Sequence, residues 1–280
     1  MFSAFCFFVA DCFNPFMKIS FAKMHGAGND FIMVDDRERT FPLDDPVFIQ
    51  RISARSTGIG CDGVILLQPS DAADIRMRFI NPDGNEVDMC GNGARCIAQW
   101  AFSLEAAPAR MTIETPAGPV HAEVSDEEVC LELTTPADME LDLDIGLDWT
   151  NDFINTGVPH VVVWVDDVQG VDLIKRGRAI RNHEQFAPEG TNANFAQVNP
   201  DGTLTVRTYE RGVEGETLAC GTGAAAVAVV AAQRGWVALP VTVHCASGFD
   251  LVIDSKAGKT TLSGNAVKVF EGEIEYGNRL

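Results

Sequence analysis

The chain has 280 residues, 46% hydrophobic and 22% charged, and carries a formal charge of −19. That length supports one large domain or two of ordinary size with ample core, and the balance is that of an ordinary soluble globular protein. The acidic excess argues against a nucleic-acid or anionic-membrane partner, since both need a basic face.

Residues 1–16, MFSAFCFFVADCFNPF, are apolar but have no basic start and are too short to span a bilayer. Met17 opens MKISFAKMHGAGNDF, which reads as a natural protein start. The first sixteen residues are therefore expected to be a loose extension, with a weak signal peptide as the alternative. The stretch DPVFIQRISARST (Asp45–Thr57) reads as a helix and VILLQ after it as a strand. IRMRFI (Ile75–Ile80) alternates as a strand does before the turn NPDG, and a helix opens after Cys90 with GARCIAQWAFSLEAA. VHAEVSDEEVCLEL reads as a hairpin. TLTVRTY (Thr203–Tyr209) follows a second NPDG, and another helix, GAAAVAVVAAQRGW, follows Cys220. Its run from Ala224 to Ala232 is apolar on every side, so it should be buried, and it is far too short for a membrane span. VTVHCASGFDLVIDSKAGKTTL completes a mixed α/β chain dominated by antiparallel pairs.

An internal repeat connects the halves. A strand leads to Asn81, and Cys90 follows nine positions later with Gly-Asn-Gly-Ala; a strand leads to Arg211, and Cys220 follows nine positions later with Gly-Thr-Gly-Ala. Each unit puts a thiol before the first turn of a buried helix, where free N–H groups favour negative charge. Such a thiol is expected to have a lowered pKa, and the same N–H groups can hold a carboxylate. If the repeat is a structural pseudo-twofold, two thiols face each other across one carboxylate. That arrangement suits inversion of a stereocentre beside a carboxylate, one thiolate removing the α-proton while the other thiol delivers a proton to the opposite face.

The eight cysteines contain no CxxC pair, and the five histidines form no cluster with them, so neither a disulfide scaffold nor a metal site is expected and a reducing cytoplasm is the default. Cys61, Cys96, Cys130 and Cys245 are assigned to packing, and Arg95 to a helix surface or cap. GIGCDG (Gly58–Gly63) matches a dinucleotide fingerprint, but it lies between a helix and a strand, the reverse of the required order. AGKTT lacks the leading glycine of a phosphate loop, since Ile253 stands there.

The segments KMHGAGNDF, RSTGIGCDG, FINPDGNEVDMCGNGARC, TGVPH, EGTNANF and YERGVEGETLACGTGA, in order from Lys23 to Ala224, resemble the diaminopimelate epimerase family. The paired cysteines alone would also admit a proline or hydroxyproline racemase, where a histidine typically stands in place of Asn92. The resemblance implies two pseudo-symmetric α/β domains, each a largely antiparallel sheet wrapped around a central helix, with the site in the cleft between them. The expected division is 17–135 plus 266–280 for the half with Cys90, and 136–265 for the half with Cys220.

It further implies cofactor-independent interconversion of LL- and meso-diaminopimelate in lysine and peptidoglycan-precursor synthesis, in the cytoplasm, with a homodimer compatible. In the LL-to-meso direction Cys90 would be proton donor and Cys220 acceptor. Gly91, Asn92, Gly221 and Thr222 would hold the reacting carboxylate, and Asn29, Asn81, Asn192, Glu210 and Arg211 the remaining groups. His160 and Glu210 would tune the thiols. Two positions depart from the family pattern: Val158 stands where asparagine is frequent, and Gly63 where glutamine is.

Overall fold

The computed structural model describes residues 17–277 apart from positions 127, 147, 148 and 257; the expected loose extension, 1–16, lies outside the described residues. In chain order the first half comprises β1 (Met17–Gly26), β2 (Asn29–Asp35), α1 (Pro46–Ser53), β3 (Gly63–Gln68), β4 (Ile75–Ile80), β5 (Glu86–Val87), α2 (Gly91–Ser103), β6 (Arg110–Thr115), β7 (Gly118–Ser125) and β8 (Glu128–Glu132). The chain continues with β9 (Ala137–Glu140), β10 (Asn151–Asn155), β11 (Pro159–Trp164), α3 (Leu173–Arg181), β12 (Asn192–Val198), β13 (Leu204–Glu210), β14 (Gly215–Thr217), α4 (Gly221–Gln233), β15 (Val241–His244), β16 (Asp250–Lys256), β17 (Lys259–Asn265) and β18 (Val267–Tyr276). No helix among the described residues is long and apolar enough to cross a membrane.

The repeat read in the sequence is a repeat of topology. In the first half β1 pairs antiparallel with β2, β2 parallel with β3, β3 antiparallel with β4, β4 parallel with β6, and β6, β7 and β8 follow as a meander. The second half gives the same sequence of pairings from β10 through β11, β12, β13 and β15 to β16 and β17. The two sheets join edge to edge where β8 meets β17, with Leu131 opposite Leu262. Each half then receives a strand from beyond that seam: β9 follows β8 and pairs with β10, while β18 follows β17 and pairs with β1.

Strand side chains alternate between faces, so a strand covered on both sides feeds two cores. In β3, Ile65 and Leu67 face a core built on α2, while Val64 and Leu66 face one built on α1. In β11, Val162 faces α4, and Val161 and Val163 pack toward α3. The helices α2 and α4 are the inner ones. In α4, Ala224, Ala225, Ala226, Val227, Ala228, Val230 and Ala231 are all fully buried, as expected of a helix apolar all round. Small side chains let the surrounding sheet close on it. Glycine extends that approach to the helix ends: a Cβ at Gly93 would lie 2.6 Å from Ile65 Cδ1, and one at Gly223 2.4 Å from Asn194 Oδ1.

Candidate active site

Both central helices begin at a cysteine in extended backbone, Cys90 (φ −141°, ψ 120°) before α2 and Cys220 (φ −115°, ψ 107°) before α4. Neither side chain caps its helix, so the first-turn N–H groups remain available. The backbone N–H groups of Gly93 and Asn92 favour a thiolate at Cys90, and that of Gly223 favours one at Cys220. Thr222 Oγ1 lies 3.5 Å from Cys220 Sγ.

These helix ends do not lower the thiol pKa below its ordinary value, contrary to the expectation from the sequence. Burial pushes Cys220 up to about 12; the Glu210 carboxylate adds to the rise, and Thr222 and the Gly223 N–H offset only part of it. Cys90 is also raised, chiefly by burial, with Glu210 adding and Gly93, Asn92 and Arg95 opposing. A thiolate loses more hydration on burial than one helix turn returns. The Glu210 carboxylate raises both thiols.

The site is knit across the halves by Asn92. Its Nδ2 donates to Asn29 Oδ1 and to Ala219 O, both at 3.2 Å, while its Oδ1 accepts from Arg95 Nη2 at 2.9 Å. Ala219 immediately precedes Cys220, so the first turn of α2 is bonded to the chain entering α4. Asn29 Oδ1 also stands 3.7 Å from Cys90 Sγ and accepts from the thiol. Asp62 holds that amide through Oδ2, 2.6 Å from Asn29 Nδ2. Arg55 clamps Asp62 (2.6 Å) and Asp30 (2.7 Å), and Lys23 reaches Asp30 at 2.5 Å. Burial opposes ionisation of Asp30, but Arg55 and Lys23 more than compensate and hold its carboxyl below the ordinary value.

On the Cys220 side, Glu210 closes β13 and accepts from Thr217 Oγ1 at 2.7 Å; burial raises its carboxyl. Asn192 donates to Pro159 O (3.0 Å) and accepts the Arg211 N–H (2.9 Å), fixing the loop that carries Arg211. The Arg211 side chain lines a cavity of about 370 Å³ with Phe153, Pro159, Phe186, Glu189 and Gly190. His160 is fully buried, and burial together with Arg211 pushes it down to about 3, so it is neutral near pH 7. Asn194 Nδ2 lies 3.1 Å from His160 Nδ1, a contact that makes Nδ1 the acceptor and puts the proton on Nε2, which has no hydrogen-bond partner among the described residues.

Asn81 sits half-buried at the turn after β4, where its backbone O accepts from Gly84 N at 2.9 Å. Gly91 and Gly221 occupy the first helical positions. Val158 lies in the β10–β11 turn, with its O accepting from Thr156 N at 3.2 Å. Gly63 opens β3, and a Cβ there would fall 2.1 Å from Phe79 Cε2, so the Phe79 ring fills the room a longer side chain would need.

Arg95 corrects the sequence reading: it is not a helix-surface group but fully buried. Asp62 and Asn194 join the site without standing out in the sequence, where their only signals are an acid inside the glycine loop GIGCDG and a second amide in NAN. Cys61, Cys96 and Cys245 are buried, while Cys130 is half-buried on β8.

The family model for diaminopimelate epimerase matches residues 21–139 and 153–273. The diaminopimelate epimerase of Aquifex aeolicus is 44% identical over 275 residues, covering 91% of this chain and 98% of its own. That of Archaeoglobus fulgidus is 41% identical over 273 residues, covering 91% and 96%. Among solved structures, a phenazine biosynthesis protein of the PhzF family from Bacillus anthracis superposes with a TM-score of 0.70 at 17% identity, covering 92% of this chain and 99% of its own. A probable proline racemase from Agrobacterium radiobacter gives 0.68 at 18% identity, with 91% and 92% covered. The structural likeness at such identity carries the fold, and the closer sequence relatives carry the assignment: this chain belongs to the diaminopimelate epimerase family.

Proposed function

We propose that the protein is an isomerase that interconverts LL- and meso-diaminopimelate, supplying lysine and peptidoglycan-precursor synthesis, with Cys90 and Cys220 as its two proton carriers. The observation that carries this reading is the cysteine repeated at the start of each central helix, with Asn92 bonded to Asn29 on one side and Ala219 on the other.

In the LL-to-meso direction, Cys220 as thiolate takes the α-proton, breaking C–H and forming S–H. Cys90 gives its proton to the opposite face, breaking S–H and forming the new C–H. The first-turn N–H groups of Gly91, Asn92, Gly221 and Thr222 would bind the reacting carboxylate and stabilise the charge it gains as the carbanion forms. Glu210 suits an ammonium group, and Arg211 a carboxylate by a planar fork. Asn29, Asn81 and Asn192 supply oriented amides. The raised thiol pKa fits this chemistry, because a buried thiolate, once formed, is a stronger base toward a weakly acidic carbon. The substrate ammonium supplies the positive charge that favours the thiolate. His160, neutral and with Nε2–H free to donate, would orient rather than charge the Cys220 side. Drawn this way the reaction uses no cofactor, since both proton carriers are side chains. A cytoplasmic location, a homodimer and the division of the halves near residues 135 and 266 belong to the same proposal.

The test is incubation of LL-diaminopimelate with enzyme in deuterated water. Solvent deuterium is expected at one α-carbon, and Cys90→Ala or Cys220→Ala should slow turnover by about 10²–10⁴. Undiminished epimerisation in either variant would overturn the assignment.

A further inference from the structure

Asn29 turns its amide oxygen toward Cys90, with Oδ1 3.7 Å from Sγ. The two ends of an amide ask opposite things of a neighbouring sulfur. The oxygen accepts from a thiol, whereas the nitrogen would donate to a thiolate. Whatever fixes the amide therefore bears on the proton at Cys90.

A chain of side chains with one polarity fixes it. At one end stands Arg95, a guanidinium that can only donate, and its Nη2 gives to Asn92 Oδ1 at 2.9 Å. Asn92 Nδ2 then donates onward to Asn29 Oδ1 at 3.2 Å. At the other end Asp62 Oδ2, a carboxylate oxygen that can only accept, lies 2.6 Å from Asn29 Nδ2. A donor-only group and an acceptor-only group at the two ends admit one orientation of both amides between them.

The fold holds both ends in place. Arg95 is fully buried, in room left by two glycines: a Cβ at Gly26 would approach its Nη2 to 3.3 Å, and one at Gly264 its Nε to 3.2 Å. Asp62 directly precedes β3, and the parallel pairing of β2 with β3 sets Phe31 opposite Gly63, which brings Asp62 beside Asn29 and Asp30. The Asp62 backbone N–H donates to Asp30 O at 2.8 Å, the Asp30 N–H donates to Asp62 Oδ2 at 3.2 Å, and Arg55 Nη2 lies 2.6 Å from Oδ1. Of the two bonds that orient Asn29, the one to Asp62 is shorter and charge-assisted, so it is the stronger constraint.

We propose that Asp62 is a positioning residue: by fixing the Asn29 amide with its oxygen toward Cys90, it keeps Cys90 protonated until that proton is delivered to the substrate carbon. This rests on the reading of Cys90 as a proton carrier. When Cys90 S–H breaks and the new C–H forms, the thiolate left behind faces an oxygen that no longer has a proton to accept. Cys90 regains that hydrogen bond by taking a proton from solvent, or the α-proton of the opposite isomer.

Iodoacetamide, a neutral probe of thiolate, reads Cys90 and Cys220 separately when labelled peptides are quantified by mass spectrometry. Asp62→Leu removes the acceptor and frees the Asn29 amide to turn. The Cys90 labelling rate should rise about fivefold against that of Cys220 in the same molecules, the order of one hydrogen bond. Asp62→Asn removes the charge alone. Its remaining side-chain oxygen is claimed by Asn29 Nδ2 and the Asp30 N–H, since the exposed Arg55 can swing away. Its labelling ratio should therefore match the unmodified protein, which separates positioning from a loss of nearby negative charge. The charged groups facing Cys90, Glu210 and Arg95, are untouched in both variants. In infrared difference spectra of the unmodified protein against Cys90→Ala, the Cys90 S–H stretch should fall below that of a free thiol. An unchanged ratio in a natively folded Asp62→Leu, an equal rise in both variants, or an S–H band at the free-thiol position would overturn the proposal. Should Asp62→Leu not fold, the infrared band decides. No substrate enters these measurements, so a failure of the diaminopimelate reading would leave their result standing.

Discussion

Truncating Asn92 to alanine removes three hydrogen bonds at the seam between the halves: to Asn29 Oδ1, to Ala219 O, and from Arg95 Nη2. The first two share one amide group at 3.2 Å and contribute about 1 kcal/mol together. The third involves a buried cation, and leaving that donor unpaired costs about 2–4 kcal/mol. Asn92→Ala should therefore destabilise the protein by about 3–5 kcal/mol, a large part of a typical folding free energy. The mechanism makes a second, sharper demand. Most of the loss comes from a charge without an acceptor, so removing the charge as well should restore stability. The double variant Asn92→Ala/Arg95→Met is expected to recover about 2 kcal/mol relative to the single variant. Urea unfolding followed by circular dichroism measures both. A loss below about 1 kcal/mol in Asn92→Ala, or a double variant less stable than the single, would refute the reasoning.

A pH effect follows from His160. Its folded value of about 3 lies below its ordinary 6.5, so between these values the unfolded chain binds a proton that the native protein does not. Stability from this residue is present in full above pH 6.5 and is lost as pH falls toward 3, amounting to about 2 kcal/mol at pH 5. In His160→Gln that part of the difference between pH 7 and pH 5 should vanish in urea unfolding; an unaltered difference would contradict it. At Gly63, glutamine would drive a Cβ to 2.1 Å from Phe79 Cε2, so Gly63→Gln should destabilise by about 3 kcal/mol. Adding Phe79→Ala should make the glutamine less costly than it is alone, which thermal unfolding of the four-member cycle checks.

The amino-acid order alone determined the elements that local physics controls. The apolar run from Ala224 to Ala232 is a buried helix wherever it is placed, and the alternation in IRMRFI and TLTVRTY makes strands. The matched Cys-Gly-x-Gly units mark two helix starts, because a glycine-flanked thiol before an apolar helix is a local pattern. The loop GIGCDG lies between α1 and β3, the helix-then-strand order legible in the flanking sequence. Tertiary structure decided the rest. The exchange of β9 and β18 across the β8–β17 seam depends on contacts between residues far apart in sequence. The burial of Arg95 depends on the absence of side chains at Gly26 and Gly264, which lie on two other strands. The protonation of Cys90 and Cys220 depends on hydration lost to the whole fold and on a carboxylate at Glu210, and a helix N-terminus read from sequence supplies only the smaller, opposing contribution. Helix and strand are set by neighbours in the chain, whereas charge state is set by neighbours in space.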